Sequence, residues 1–374
     1  MSSQSKAKAK YGEVRWTESL RIVATLITLP VVLLWSLATT TYAAHNKARS
    51  LKRIAGDSAL RHVLGTLNVA QLQHVFGATL SSYEKWAARN QLPTEIDELG
   101  RDARLLWIGP KRLKRVLLFV HGGAFLLPAA DFALSFCRYL QLQLETQDID
   151  VGLAVLNYSL VPSAVFPTPL DQARLALEFL LAAGVQPQNL QLAGDSAGAN
   201  LILQLLSHAL HPLPPALGVP EFAPPALPRL RGALLISPWV SLTADSASHA
   251  ANDGRDFLRH ATLAEWGRVV RADVPPEHRA FMEAARAPDA WFDGVERLVE
   301  RVLVTAGGAE CLRDDIVVFG EAFKRHHARA ELVVQPDGLH EDPMLDFVLN
   351  EKKVGSVTPL LVEWLAAGFT AETM

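Results

Sequence analysis

Three short segments carry residues able to do acyl chemistry together. Gly194-Asp195-Ser196-Ala197-Gly198 has the form G-x-S-x-G, with an apolar run at 190–193 before it and a helical run at 199–210 after it. That context predicts Ser196 on a tight strand-to-helix turn, where its oxygen projects forward as a nucleophile and bulky neighbours at 194 and 198 would collide. The same turn puts the Ala197 N–H and the positive end of a helix near a developing oxyanion. His121-Gly122-Gly123-Ala124 follows the run VLLFV directly. Glycines let backbone approach a substrate carbonyl, so Gly122 and Gly123 are read as further oxyanion donors, and His121 as a residue that fixes the loop.

A serine hydroxyl needs a base, and the base needs a carboxylate to orient it. His340, in Asp337-Gly338-Leu339-His340-Glu341-Asp342, follows the final apolar run and is the expected base. His326 and His327 lie in a charged helical stretch, and His208 and His211 flank a proline-rich segment. For the carboxylate, Glu310 is the first acid after the run VLVT, with Asp314 the alternative four residues on.

The elements that must hold these residues are legible as a rhythm. Apolar runs at 105–108, 116–120, 151–156, 190–193, 233–236, 302–305 and 331–334 read as strands, and 171–183, 199–210 and 357–367 as helices. Strands alternating with helices predict a mostly parallel sheet covered on both faces, and sites on such sheets lie beyond the carboxyl ends of strands. Residues 50–100 read as cap helices, with two short amphipathic ones between about 58 and 90. Residues 101–374 form the catalytic unit, with helical pieces of a further cap at about 241–289. The proline-rich stretch 211–228 is incompatible with helix or central strand.

Residues 22–44 contain no Asp, Glu, Lys or Arg and follow a polar, basic tail at 1–21. As a helix this run is about 35 Å long, enough for the roughly 30 Å hydrocarbon core of a bilayer. A single-pass membrane anchor is expected, with a cleaved signal peptide or an interfacial helix as the alternatives. Lysines and arginines stand on both sides of the run, so charge fixes no orientation.

Of 374 residues, 49% are hydrophobic, and the net charge is −3. No basic stripe with interleaved aromatics suggests a nucleic-acid partner. The two cysteines, Cys137 and Cys311, have no metal-ligand company and read as buried free thiols, although one disulfide is sterically open. No metal or organic cofactor is implied.

Taken together, HGGA at 121–124, GDSAG at 194–198, Asn157-Tyr158-Ser159-Leu160-Val161-Pro162 with Phe166-Pro167, and Ile236-Ser237-Pro238-Trp239 resemble the hormone-sensitive-lipase-like branch of α/β hydrolases. The order serine, acid, histidine is the order of that fold. The resemblance covers roughly residues 100–370 and implies an α/β-hydrolase fold with a helical cap. The membrane run, Glu310 and the LRDD sequence look most like fungal steryl acetyl hydrolases, which are anchored in the endoplasmic reticulum. Three residues depart from the family pattern. Ala124 replaces a glycine, Ser163 stands where a glutamate is usual, and Glu310 replaces an aspartate. The implied activity is a serine carboxylic-ester hydrolase that removes a short acyl group from a bulky apolar alcohol, such as a sterol or terpenoid, through an acyl-enzyme. Acyl transfer and amide hydrolysis use the same machinery and stay open, as does a non-catalytic ligand receptor on the same fold.

Overall fold

The structure is a computed structural model that describes residues 10–47, 49–222, 227–351 and 353–371. The first nine residues of the basic tail and residues 223–226 of the proline-rich stretch lie outside the described residues.

The chain starts with a long helix, α1 (Trp16–Thr40), followed by α2 (Leu51–Thr66), α3 (Val69–Phe76) and α4 (Thr79–Arg89). Three helices thus stand where the spacing predicted two. Ser50 and Asn68 accept hydrogen bonds from Arg53 N–H and Gln71 N–H, so α2 and α3 each begin at their own side-chain cap. Two strands follow, β1 (Glu95–Gly100) and β2 (Ala103–Ile108), then β3 (Val116–Val120), α5 (Asp131–Glu145), β4 (Gly152–Asn157), α6 (Thr168–Ala182), β5 (Leu190–Asp195) and α7 (Ser196–Leu210). After β6 (Gly232–Ile236) come the short helices α8 (Ala247–Asn252), α9 (His260–Arg271) and α10 (Arg279–Met282). The chain closes with β7 (Val302–Gly307), α11 (Arg313–His326), β8 (Ala330–Gln335), α12 (Asp342–Leu345) and α13 (Val357–Thr370).

The eight strands form one sheet in the order β1-β2-β4-β3-β5-β6-β7-β8. Pairing is parallel from β4 to β8 and antiparallel at β1–β2 and β2–β4. This is the mostly parallel sheet that the resemblance implied. Side chains alternate across it, as a pleat requires. Leu117 and Phe119 of β3 join the core under α5 and α13, while Leu118 and Val120 join the one under α6 and α7. Both faces of β3 are therefore buried, which is why its sequence is an unbroken apolar run.

Residues 95–100, placed by the sequence among the cap helices, form strand β1 instead. Its sequence EIDELG carries three acids, and it lies half-exposed at the sheet's edge, where alternating apolar residues are not needed. The proline-rich stretch contains only a short turn of 3-10 helix at Pro215–Leu217 among its described residues. Cys137 and Cys311 are both free and buried.

The cap is tied to the catalytic body by charge. Arg53 of α2, 5% exposed, reaches Asp57 at 2.8 Å, Asp342 at 2.6 Å and Asp346 at 2.7 Å. The α1 helix packs along α2 through hydroxyls. Thr28 Oγ1 lies 3.0 Å from His62 Nε2, and Ser36 Oγ lies 2.5 Å from Ser58 Oγ.

Candidate active site

Ser196 sits at the turn between β5 and α7 with φ +47°, a strained left-handed conformation for a residue with a side chain. The neighbouring glycines are sterically required. A Cβ at Gly198 would lie 1.9 Å from the Val120 carbonyl oxygen, and one at Gly194 would lie 2.9 Å from the backbone of Gly198 and Ala199. The turn brings Ser196 Oγ within 3.0 Å of His340 Nε2.

His340 lies on the loop between β8 and α12. Its Nδ1 is 2.9 Å from Glu310 Oε2, and its backbone N–H donates to Asp256 Oδ1 at 3.3 Å. Glu310, on the loop after β7, is fully buried. Its Oε1 accepts from Gly307 N–H at 3.0 Å. The extra methylene of a glutamate is thus taken up by a curled side chain held at both oxygens. Asp314, the alternative, points elsewhere: it accepts from Ser248 N–H at 2.8 Å and pairs with Arg313 at 2.8 Å. His326 and His327 are engaged by Asp293 and the Val299 carbonyl, away from the serine.

Two further acids press on this chain of bonds. Glu341, with φ +52°, turns its side chain back so that Oε1 lies 3.4 Å from His340 Nε2. Asp195, next to Ser196, is fully desolvated and faces Glu341. Burial opposes charge on all of these groups. For His340, burial alone would lower the pKa, but the charge of Glu341 and the bond to Glu310 outweigh it and hold the imidazole well above its usual range. Glu341 is held low, because the adjacent imidazolium outweighs its burial. Asp195 is pushed well up by burial and by the Glu341 charge. Asp195 Oδ1 has no hydrogen-bond partner among the described residues. Burial also raises Asp256 to about 6.

The loop after β3 supplies donors, with one change from expectation. Gly122 N–H donates to Asp195 Oδ2 at 3.0 Å, so it is already engaged and is not a free oxyanion donor. The N–H groups of Gly123, Ala124 and Ala197 have no acceptor among the described residues. Gly123 and Ala124 have φ +97° and +58°, a left-handed pair that turns successive N–H groups toward one side. A Cβ at Gly123 would lie 2.6 Å from the Leu127 carbonyl oxygen. His121 stacks on Tyr158 at 4.5 Å, and Tyr158 Oη donates to the His121 carbonyl at 2.8 Å. Burial lowers the His121 pKa to about 4, so it stays neutral and braces the loop.

Ser196, His340 and Glu341 face a cavity of about 810 Å³. Its walls are mainly apolar. Leu60 and Leu64 come from α2, Val75 and Phe76 from α3, and Trp239 and Trp266 from the other side. Sequence reasoning quoted Glu341 beside His340 and Ala124 after the loop glycines but gave neither a role in the site, and it missed Asp256. Glu341 was findable as an acid adjacent to the expected base. Nothing in the spacing of Asp256 marks it, because it arrives from the cap.

A family profile described as alpha/beta hydrolase fold matches residues 117–343. An acetyl-hydrolase of Streptomyces hygroscopicus is 32% identical over 216 residues, covering 56% of this chain and 62% of that protein. The chain thus spans less than two thirds of that relative's length. A Schizosaccharomyces pombe protein named as a candidate steryl acetyl hydrolase is 24% identical over 275 residues, covering 67% of this chain and 69% of that one. Among solved structures, a bacterial esterase of the hormone-sensitive lipase family superposes with a TM-score of 0.60 at 19% identity, over 96% of this chain and all of that chain.

Proposed function

This chain belongs to the alpha/beta hydrolase family, with the architecture of its hormone-sensitive-lipase-like branch, and from that premise we propose that it is a serine carboxylic-ester hydrolase. The observation that carries the reading is the run of contacts from Ser196 Oγ to His340 at 3.0 Å and on to Glu310 at 2.9 Å, opening on an apolar cavity. In the proposed reaction neutral His340 takes the Ser196 proton as Oγ attacks the ester carbonyl. The oxyanion forms against the N–H groups of Gly123, Ala124 and Ala197, and the α7 N-terminus adds a favourable field. Glu310 holds the imidazole in register and balances its charge. His340 then returns the proton to the leaving alkoxide, and water resolves the acyl-enzyme by the same route in reverse.

We propose a short acyl group, acetyl in particular, on a bulky apolar alcohol of the sterol or terpenoid class. The support is the apolar wall, the names of the Streptomyces and Schizosaccharomyces relatives, and a cavity within the roughly 300–1,000 Å³ typical of ligand pockets. Membrane attachment through α1 is part of the proposal. The endoplasmic reticulum as the membrane concerned rests on the resemblance to the fungal enzymes alone.

The test is hydrolysis of p-nitrophenyl acetate, butyrate and octanoate, alongside acetate release from a sterol acetate in detergent. The proposal expects kcat/KM to fall with acyl length and the sterol acetate to be cleaved. Activity confined to long acyl chains or to amides would overturn the substrate assignment.

A further inference from the structure

Helix α1 is apolar enough to cross a bilayer, with a mean hydropathy of 2.2, yet it does not stand free of the protein. Contacts run along its whole length. Near its start, Gln71 Nε2 donates to the Glu18 carbonyl at 2.8 Å. In its middle, Thr28 meets His62, and Thr25 offers its carbonyl to the same ring at 3.2 Å. Toward its end, Ser36 meets Ser58, and just beyond it Asn46 Nδ2 donates to the Thr40 carbonyl at 3.0 Å. Apart from Asn46, which lies between α1 and α2, the partners belong to α2 and the start of α3, and α2 is itself locked into the catalytic body by Arg53.

This packing conflicts with a spanning helix. If α1 crossed the hydrocarbon, α2 would cross beside it, taking the buried ions of Arg53, Asp57, Asp342 and Asp346 and the exposed Lys52 with it. Charges at bilayer depth are costly, and irregular backbone there has no water to satisfy it.

The other face of α1 supplies the alternative. Leu20, Val23, Ile27, Val31, Leu34 and Trp35 recur at helical spacing, and each is 51–71% exposed. They lie opposite Thr25, Ser36 and Thr40, while Thr28, itself exposed, sits at the edge of the stripe beside Trp35. Exposed cations stand at both ends of the helix, Arg15 just before it and Arg21 in its second turn, Lys47 and Lys52 after it, and none of them is in an ion pair among the described residues. A basic flank at each end, with one apolar stripe between them, matches a helix lying along a single anionic surface.

We infer that α1 lies in the plane of one leaflet, with the Leu20–Trp35 stripe in the lipid and the hydroxyl face docked on α2, so that the protein sits on the membrane without crossing it. This arrangement differs from the single pass expected from sequence, since composition records the apolar residues of α1 but not its contacts with α2. The cavity mouth adjoins the same layer. Val75 and Phe76, which line the cavity and are 42% and 38% exposed, belong to α3. The end of α3 is bonded to the segment just ahead of α1, through Tyr11 Oη to the Gly77 carbonyl at 2.8 Å and Gly12 N–H to Gln73 Oε1 at 3.1 Å. An ester dissolved in that leaflet reaches the cavity without passing through water.

The inference rests on the proposed membrane attachment but not on the esterase reading, and the two fail separately. The full-length chain carries Glu13→Cys or Lys47→Cys, one at each end of α1 and both exposed, against natural cysteines that are buried. In sealed membrane vesicles from expressing cells, a membrane-impermeant maleimide is expected to label both positions to the same fraction of their detergent-treated total. Labelling of one, with the other protected until detergent is added, overturns the in-plane arrangement. As a second measurement, Ile27→Glu/Leu34→Glu is expected to lose at least tenfold in flotation with phosphatidylcholine–phosphatidylserine vesicles while keeping p-nitrophenyl acetate hydrolysis in solution. Unchanged flotation would contradict the assigned face. Wild-type protein recovered wholly in the soluble fraction would overturn the attachment and leave the esterase reading intact.

Discussion

Glu341 Oε1 lies 3.4 Å from His340 Nε2, the same ring nitrogen that faces Ser196 Oγ at 3.0 Å. The candidate base is therefore shared between a nucleophile that needs it neutral and a carboxylate that favours it charged. Asp195 lies beside the same carboxylate, and burial together with the Glu341 charge pushes its pKa up.

The first prediction concerns pH. Below its pKa, His340 carries the proton it must take from Ser196, so activity falls as pH falls through that pKa. Glu341 raises it, so Glu341→Gln removes the charge and lowers the His340 pKa. The acid limb of the kcat/KM–pH profile is expected to move to lower pH in the variant. A limb that stays in place or moves upward would mean that Glu341 does not govern the titration of His340.

The second separates the two acids considered from sequence. Glu310→Ala removes the acid placed 2.9 Å from His340 Nδ1 and is expected to cost on the order of 10³–10⁴ in kcat, as loss of the orienting carboxylate does in such triads. Asp314→Ala leaves that bond intact and is expected to stay within a few fold of wild type. Comparable losses in the two variants, by the same ester assay, would count against the assignment of Glu310.

A third concerns stability. Arg53 holds three carboxylates, Asp57, Asp342 and Asp346, in a buried cluster. Arg53→Leu strands Asp346 and leaves Asp57 and Asp342 only the longer contacts to Arg49, at 4.0 and 3.7 Å, and removal of one partner from a buried ion pair typically costs about 3–5 kcal/mol. Urea unfolding is expected to show a loss of that size. Burial already raises the pKa of Asp57 and Asp346, so the stranded acids relax by protonating, and the deficit is expected to shrink as pH falls. A midpoint that is unchanged, or a deficit that grows at low pH, would contradict this.

Much of this architecture was legible because it follows from local patterns. The VLLFV run of β3 is apolar on both faces because both faces are covered, and the glycines at 194 and 198 mark a turn that admits no side chain. What escaped was set by partners far away in sequence. β1 is held by pairing with β2 rather than by its own apolar content. Asp256 meets His340 across 84 residues, and no periodicity announces such a contact. Gly122 looked like a free donor because the loop's sequence says nothing of the Asp195 carboxylate that engages it.

The most direct test of the central claim is p-nitrophenyl acetate hydrolysis by purified wild type and Ser196→Ala, with folding of both checked by circular dichroism. The account predicts turnover by wild type and a loss of at least about 10³-fold in the variant, the scale seen when a triad nucleophile is removed. Turnover that survives in a folded Ser196→Ala variant, or its absence in a folded wild type, would contradict the assignment of Ser196 as the nucleophile of an esterase.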